Sequence, residues 1–304
     1  MSPQSPPPLS GRLAVVTGAA RGLGECMVRA LVRRGATVAL VGLEEAELER
    51  VAASFPGRAH HWCADITDEA ALTAVAARVQ QQLGPPSVVV ANAGVAAAGS
   101  FLRSDADTWR RVIEVNLIGS SLTARAFLPG LLTTRGYYLQ VASLASMTAA
   151  PMMSAYCASK SGVEAFAHAL RAEVAHRGVD VGIGYLSWAE TEMINAAVLR
   201  ELRARLLWPA GKVYRPQAVA DRLVRGMERR APVLYAQPWL RATQVIRAGL
   251  PAVVTRWFRD ELPRLEHQGD YEDTGLIGKG GRAATVEGPA TEFRVVRKAA
   301  PPET

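Results

Sequence analysis

The chain has 304 residues, of which 49% are hydrophobic and 21% charged, the composition of a soluble globular protein with room for one sizeable domain or two small ones. Nothing in it repeats at a fixed period. Its net charge of +7 is regional: residues 200–259 carry 13 Lys/Arg against 3 Asp/Glu, so the remainder is slightly acidic. The three cysteines, Cys26, Cys63 and Cys157, are far apart and lack ligand spacing, which excludes a disulfide framework and a metal site. Cys157, next to Tyr156, is the one to examine as a reactive thiol. Residues 1–10 are rich in Pro and Ser with no basic start and no long apolar run, so a flexible leader rather than a signal peptide is expected, and with it a cytoplasmic address.

The first apolar run, Leu13-Ala14-Val15-Val16, leads directly into Thr17-Gly18-Ala19-Ala20-Arg21-Gly22-Leu23-Gly24 and then a helical pattern through Arg34. Strand, glycine-rich turn and helix in that order place free amides where a pyrophosphate can meet them. A tight turn without a ligand is the plainer reading. Strand and helix then alternate: strands over 37–41, 58–63 and 87–91, helices over 44–54 and 68–83. A long helix is expected over 107–132, a strand over 136–142, a helix over 156–176 and a strand over 179–186. The pattern closes with a helix over 216–229 and a strand over 232–236. Such alternation predicts an α/β fold, a Rossmann-type doubly wound parallel sheet with helices on both faces of a single domain spanning residues 11–236.

Tyr156 and Lys160 lie four apart at the start of a predicted helix, so both side chains share one face. A fixed cation beside a phenol favours the phenolate and lowers a pKa that starts near 10. The pair therefore has the makings of an acid/base centre. A solvated helix face carrying a half-buried aromatic is the alternative.

With these motifs in place, the sequence resembles the short-chain dehydrogenase/reductase family over roughly residues 10–236. Thr17-Gly18-x-x-x-Gly22-x-Gly24 looks like its cofactor turn, and Asn92-Ala93-Gly94 like the element that ends its fourth strand. Asn116 falls on the family's helical asparagine, and Ser143 precedes Tyr156 by the usual interval. The resemblance implies a catalytic set of Asn116, Ser143, Tyr156 and Lys160. Tyr156 would exchange a proton with a carbonyl or alcohol oxygen and Ser143 would hydrogen-bond that oxygen. Lys160 would lower the Tyr156 pKa and hold the nicotinamide ribose, and Asn116 would anchor a relay water. Asp65, followed by Ile66, resembles the residue that meets the adenine, with a helix N-cap neighbour as its alternative. The implied cofactor set is Thr17, Gly18, Arg21, Gly22, Leu23, Gly24, Asp65, Ile66, Asn92, Ala93, Gly94, Tyr156, Lys160 and Thr191.

The second strand ends in Val41-Gly42-Leu43 without an acidic residue, and Arg21 offers a cation to a 2′-phosphate, so NADP is favoured. Glu44 and Glu45 keep NAD in view. After the sixth strand, Leu186-Ser187 stands where relatives carry Pro-Gly, although Thr191 matches the residue that contacts the nicotinamide carboxamide. Residues 187–213, with Trp188, Met193, Ile194, Leu199, Leu206 and Trp208, are expected to form a substrate lid. Its apolar content fits a bulky, greasy substrate or, equally, a helix face packed on the body.

The chain continues for almost seventy residues past Ala236. In 237–259, Trp239, Ile246, Val253, Trp257 and Phe258 are interleaved with Arg241, Arg247, Arg256 and Arg259, and Pro251 is expected to interrupt the helix. This basic apolar extension, running to about 265, would either pack on its own domain or a neighbouring subunit, or rest on an anionic membrane surface as a peripheral contact. Residues 266–304 are expected to be a disordered tail. The basic region raises nucleic acid as a partner, and the absence of a recognisable binding motif argues against it. A small carbonyl or alcohol substrate and a homodimer or homotetramer are the partners implied by the family. A dinucleotide-sensing regulator or idle scaffold on the same fold is the alternative to an enzyme.

Overall fold

The computed structural model describes residues 9–206, 208–267 and 274–285. Seven parallel strands form one sheet in the order β3-β2-β1-β4-β5-β6-β7. They are β1 (Leu13–Thr17), β2 (Thr37–Gly42), β3 (Ala59–Cys63), β4 (Val88–Ala91), β5 (Tyr137–Val141), β6 (Asp180–Tyr185) and β7 (Val233–Tyr235). The central strands are apolar runs because both faces are covered, as in parallel sheets generally. Successive side chains alternate between faces. Val16, Leu40 and Val90 pack with Met27 and Leu31 of α1 (Gly22–Val32), Leu48 of α2 (Glu45–Ala53) and Leu223 of α8 (Pro216–Glu228). Val15, Val41 and Val89 pack with Leu72 of α3 (Glu69–Leu83), Phe127 and Leu131 of α5 (Gly119–Thr134) and Leu170 of α6 (Ser154–Val174). The order reverses between β1 and β4, so the carboxyl ends of those strands open the crevice in which doubly wound sheets bind ligands.

The helix expected over 107–132 is present but not uniform. It runs as α4 (Ala106–Ile113), one π-helical turn (Glu114–Ile118) and then α5. A π turn inserts an extra residue and turns its side chains off the regular stripe, a feature frequent at functional sites. Asn116 lies in it.

The segment after β7 packs on the body of its own domain, the first of the two expected arrangements. It forms α9 (Leu240–Ile246) and α10 (Leu250–His267), with Leu240 and Phe258 buried. The break between them falls at 247–249, and Pro251 occupies the first turn of α10, where its missing N–H costs nothing, instead of interrupting a helix. Phe258 joins Leu199 and Leu202 of α7 (Ala197–Ala204), Ala96, Met153 and Ile277 in a third apolar cluster beside the carboxyl edge of the sheet. The expected disordered tail needs correction in part. Residues 274–285 are ordered and contain α11 (Gly278–Ala284), with Leu276, Ile277 and Ala284 buried. The remainder of that tail, 268–273 and 286–304, and residues 1–8 of the expected leader lie outside the described residues. Among the described residues, no helix is long and apolar enough to cross a membrane.

Candidate active site

One end of the site is built by the β1–α1 turn. Gly18 has φ +64°, and a Cβ there would stand 2.7 Å from the Ala93 Cα. A Cβ on Gly24 would meet the Gly18 carbonyl at 2.0 Å. These glycines let the turn close against the end of β4. There the Thr17 hydroxyl accepts from the amides of Asn92 (3.1 Å) and Ala93 (3.2 Å), and Asn92 Nδ2 donates to the Thr17 carbonyl at 3.0 Å. Gly22 faces the Thr191 methyl, which joins the turn to the loop after β6. Gly18, Arg21, Gly22, Leu23, Gly24, Asp65, Ile66, Asn92, Ala93, Gly94 and Thr191 all border one cavity, and Thr17 lies buried just beneath it.

Asp65 is more engaged than its expected role requires. Its Oδ1 accepts from the Thr67 amide and hydroxyl at 2.8 Å each, and its Oδ2 pairs with Arg111 at 2.6 Å. Burial raises its carboxyl, but the Thr67 amide and the Arg111 guanidinium outweigh that and hold it below the usual range. Arg21, expected to be a free cation, is clasped by Glu44, with Nε on Oε2 at 2.9 Å and a second contact from Nη2 to Oε1.

The other end of the site gathers the four expected catalytic residues. Asn116 is fully buried; its Oδ1 accepts from the Val95 amide at 2.8 Å, and its Nδ2 donates to the Val95 carbonyl and to Ser159 Oγ, each at 2.9 Å. Ser143 follows β5 in extended backbone and caps a short 3-10 turn by accepting from the Ala145 amide at 3.1 Å. Its hydroxyl also acts on the Tyr156 phenol, favouring the ionised form against the effect of burial. Lys160, one turn along α6, donates to the Val141 carbonyl at 3.2 Å, and its Nζ lies 5.7 Å from the Tyr156 ring centroid. Tyr156, Ser143 and Lys160 line the same cavity as the glycine turn.

The electrostatics differ from the expected lowering of Tyr156 by Lys160. Burial pushes the phenol up to about 12, opposed by the Ser143 hydroxyl, and burial brings the Lys160 ammonium down to about 8. Low surrounding polarizability disfavours both charged forms, and at this distance the cation does not reverse the effect on the phenol. The phenol is therefore held as a proton donor. Burial likewise raises the Cys157 thiol, the opposite of what a reactive cysteine needs. Among the described residues no cluster could hold a metal, and all three cysteines are free.

After β6, where Leu186-Ser187 departs from Pro-Gly, Gln237 fixes the backbone by accepting from the Ser187 amide at 3.0 Å. Gln237 is completely buried, and no sequence signal singled it out. From there the cavity, 740 Å³ in volume, extends beneath Trp188, Met193, Leu199, Leu202 and Leu206 to Leu250, Val254, Trp257 and Phe258 of α10. The segment expected to be the lid packs against the C-terminal extension, which sequence spacing alone did not connect to the site. The buried Thr148 hydroxyl and Trp188 indole N–H lack protein partners, and both residues line this chamber.

A second cluster missed in the sequence ties the extension to the catalytic helix. Glu164, buried on α6 one turn beyond Lys160, accepts from the Tyr185 hydroxyl at 2.7 Å and from Arg247 of the extension at 2.5 and 3.2 Å. Arg247 also donates to the Ser146 carbonyl at 2.9 Å, three residues past Ser143.

A parallel sheet with a glycine-rich turn at its switch point and a Tyr/Lys/Ser/Asn group facing it defines a dinucleotide-dependent oxidoreductase. Comparison with known proteins agrees. The sequence profile of the short chain dehydrogenase family matches residues 12–201, and the chain belongs to that family. It is 35% identical over 203 residues to inactive 2-(S)-hydroxypropyl-CoM dehydrogenase 2 of Xanthobacter autotrophicus, covering 64% of this chain and 88% of that one. It is 30% identical over 227 residues to 2-(S)-hydroxypropyl-CoM dehydrogenase 3 of the same organism, covering 71% and 89%. A crystal structure assigned as a gluconate dehydrogenase from Agrobacterium tumefaciens superposes with a TM-score of 0.68 at 24% identity, covering 75% of this chain and 94% of that one, and shares the fold. The protein is an NAD(P)-dependent oxidoreductase acting between CH–OH and C=O.

Proposed function

We propose that the protein interconverts a ketone or aldehyde and an alcohol on a bulky apolar substrate, with Tyr156 as the general acid/base and NADP(H) as the preferred cofactor. The observation that carries this reading is one cavity with the glycine turn at one end, the Tyr156/Ser143/Lys160 group in its wall and an apolar chamber beyond. The residues fit the cofactor: Gly18 and Gly24 let the turn close against the end of β4 where any Cβ would collide, the turn borders the cavity, and Thr191 stands beside Gly22. Thr17 to Gly24 and Asn92 to Gly94 would hold its phosphates and ribose, and Lys160 and Thr191 its nicotinamide half. When bound it supplies or accepts the hydride.

Tyr156 donates its proton to the carbonyl oxygen in reduction and takes it back in oxidation. A buried phenol near 12 suits the donor direction at neutral pH. Ser143, which lines the same cavity as Tyr156, is placed to donate to the same substrate oxygen as charge develops there. Asn116 holds the β4 loop and Ser159, and through them the start of α6. Thr148 and Trp188 supply polar contacts for an otherwise apolar substrate. The preference for NADP(H) rests on Gly42 at the end of β2, where no acid meets the ribose, and on Arg21, whose partner Glu44 a 2′-phosphate would displace.

Val245, Ile246, Val253 and Trp257 remain exposed on α9 and α10 among Arg241, Arg256 and Arg259, and we assign this surface to peripheral contact with an anionic membrane. The exposed Ile118 beside α5 fits assembly into a homo-oligomer through the long helices. A panel of carbonyls and alcohols of graded size, assayed with both cofactors, tests the functional reading. Turnover that improves with apolar bulk supports it. Cofactor binding without turnover on any substrate would replace it with a dinucleotide-sensing regulator.

A further inference from the structure

Residues 274–285 cross the carboxyl edge of the sheet instead of trailing from it. At the β4 loop, the Thr274 amide donates to the Ala98 carbonyl and the Ala98 amide donates to Thr274 Oγ1, both at 3.0 Å, while the Ile277 amide donates to the Ala96 carbonyl at 2.8 Å. At the loop after β6, the Lys279 amide donates to Glu192 Oε2 at 3.2 Å, and Lys279 Nζ lies 3.6 Å from Glu192 Oε1. On α4, Arg111 donates to the Ala284 carbonyl at 3.1 Å while holding Asp65, on the loop after β3, at 2.6 Å. Three anchor points, on the loops after β4 and β6 and on α4, make the segment a strap along the cavity.

The strap forms part of the cavity wall. Gly278, Lys279, Gly280, Gly281, Ala283 and Ala284 border the same space as Gly18 to Gly24, Leu43, Glu44 and Asp65. Small residues keep the wall thin, and nothing lies within 4 Å of a Cβ built on Gly280. Lys279 is 62% exposed, and among the described residues its ammonium pairs with Glu192. Its charge also reaches α2: Glu47 is kept below its usual range first by the Arg50 hydrogen bond, with the Arg50, Arg21 and Lys279 charges assisting. Lys279 and Arg21 both line the cavity, and both charges act on Glu47.

We propose that residues 274–285 form a strap that encloses the dinucleotide, that Lys279 turns from Glu192 to the cofactor's phosphates when it binds, and that release requires the strap to lift. The inference rests on the family's NAD(P) dependence and assigns to the C-terminal extension a part in cofactor retention. An ammonium is suited to the role, being a compact cation on a flexible stem that reaches a phosphate without fixed geometry. Because Lys279 is exposed and outside the sheet, replacing it leaves the core intact.

Amide hydrogen exchange on the full-length protein, with and without saturating NADPH, reads the strap directly, and NADPH fluorescence in the same samples reports binding. Amides of 277–285 are expected to exchange at least about tenfold more slowly with cofactor, as for a segment drawn into a more protected unit. In stopped-flow displacement, Lys279→Met is expected to release NADPH about three- to tenfold faster, the scale of one lost charge contact. Ile277→Ser, which loosens the strap at its apolar anchor, is expected to do the same. NADPH that binds while strap amides and both release rates stay unchanged overturns the strap alone. Failure to bind either dinucleotide overturns the cofactor assignment and the strap with it.

Discussion

Lys160 Nζ stands 5.7 Å from the Tyr156 ring centroid, one turn along α6, close enough for a cation–π contact, with the ammonium buried and the ring partly so. Burial lowers the ammonium from 10.5 to about 8, so at neutral pH the native state holds a charge in a place that disfavours it. Between pH 8 and 10.5 the unfolded chain keeps a proton that the native state has released, and stability rises with pH across that window. The penalty is present in full below 8 and is of the order of 3 kcal/mol at 1.36 kcal/mol per unit. Lys160→Met loses the Val141 hydrogen bond, worth about 1 kcal/mol. It is therefore expected to abolish turnover yet raise stability at pH 7 by about 2 kcal/mol, or roughly 4–8 °C in Tm for a domain of this size. Urea unfolding at pH 7 and again near pH 10.5 checks this, the advantage being expected to close at the higher pH.

Gly24→Ala is expected to eliminate cofactor binding. Its Cβ would stand 2.0 Å from the Gly18 carbonyl, so the turn must open. A fluorescence titration should show at least about a hundredfold weaker NADPH binding, the scale of a 3 kcal/mol distortion. Gly57, with nothing within 4 Å, is a control for a general glycine effect if its φ of +69° is respected by an Asn replacement.

Arg247→Met leaves the Glu164 carboxylate buried with Tyr185 as its remaining partner. Removing one member of a buried pair costs about 3–5 kcal/mol, and the 37% exposure of Arg247 brings the expected loss to about 2–4 kcal/mol. The double variant with Glu164→Gln should recover part of it. Urea denaturation of the singles and the double measures the coupling.

Cofactor choice turns on Arg21 and Glu44. Arg21→Ala is expected to weaken NADPH by about tenfold while changing NADH little, and Glu44→Gln, which frees Arg21, to strengthen NADPH by a smaller factor. Michaelis constants for both cofactors decide; tighter use of NADH by the unmutated protein would reverse the preference.

On the exposed face of α9 and α10, full-length protein is expected to sediment with anionic vesicles at low salt. Trp257→Ser with Ile246→Ser should abolish that. Equal sedimentation with and without anionic lipid would reassign the surface to protein contact.

The sheet and its helices were legible because buried parallel strands are short apolar runs, and Val15/Val16 or Val89/Val90 announce themselves without tertiary information. Tyr156 and Lys160 were expected from their i,i+4 spacing, and Asn116 and Ser143 from the resemblance to the family. The π turn at Glu114–Ile118 was not legible, since one extra residue in a helix leaves no compositional mark. Gln237 and Arg247 were missed for a different reason: each acts on a residue 50 or more positions away, Ser187 and Glu164 respectively, through contacts only the closed fold creates. The Gly-Lys-Gly-Gly-Arg run at 278–282 read as tail because its glycines and charges look unstructured until Leu276 and Ile277 beside it are seen to be buried.

Tyr156→Phe tests the central claim most directly. The phenol oxygen is the atom assigned to proton transfer, and the substitution removes only that atom from a partly buried ring. NADPH binding, followed by fluorescence, should stay within about twofold, while ketone-dependent NADPH oxidation falls by about 10² to 10⁴, the range for a lost general acid. Undiminished turnover in the Phe variant, with cofactor still bound, would contradict the assignment of Tyr156.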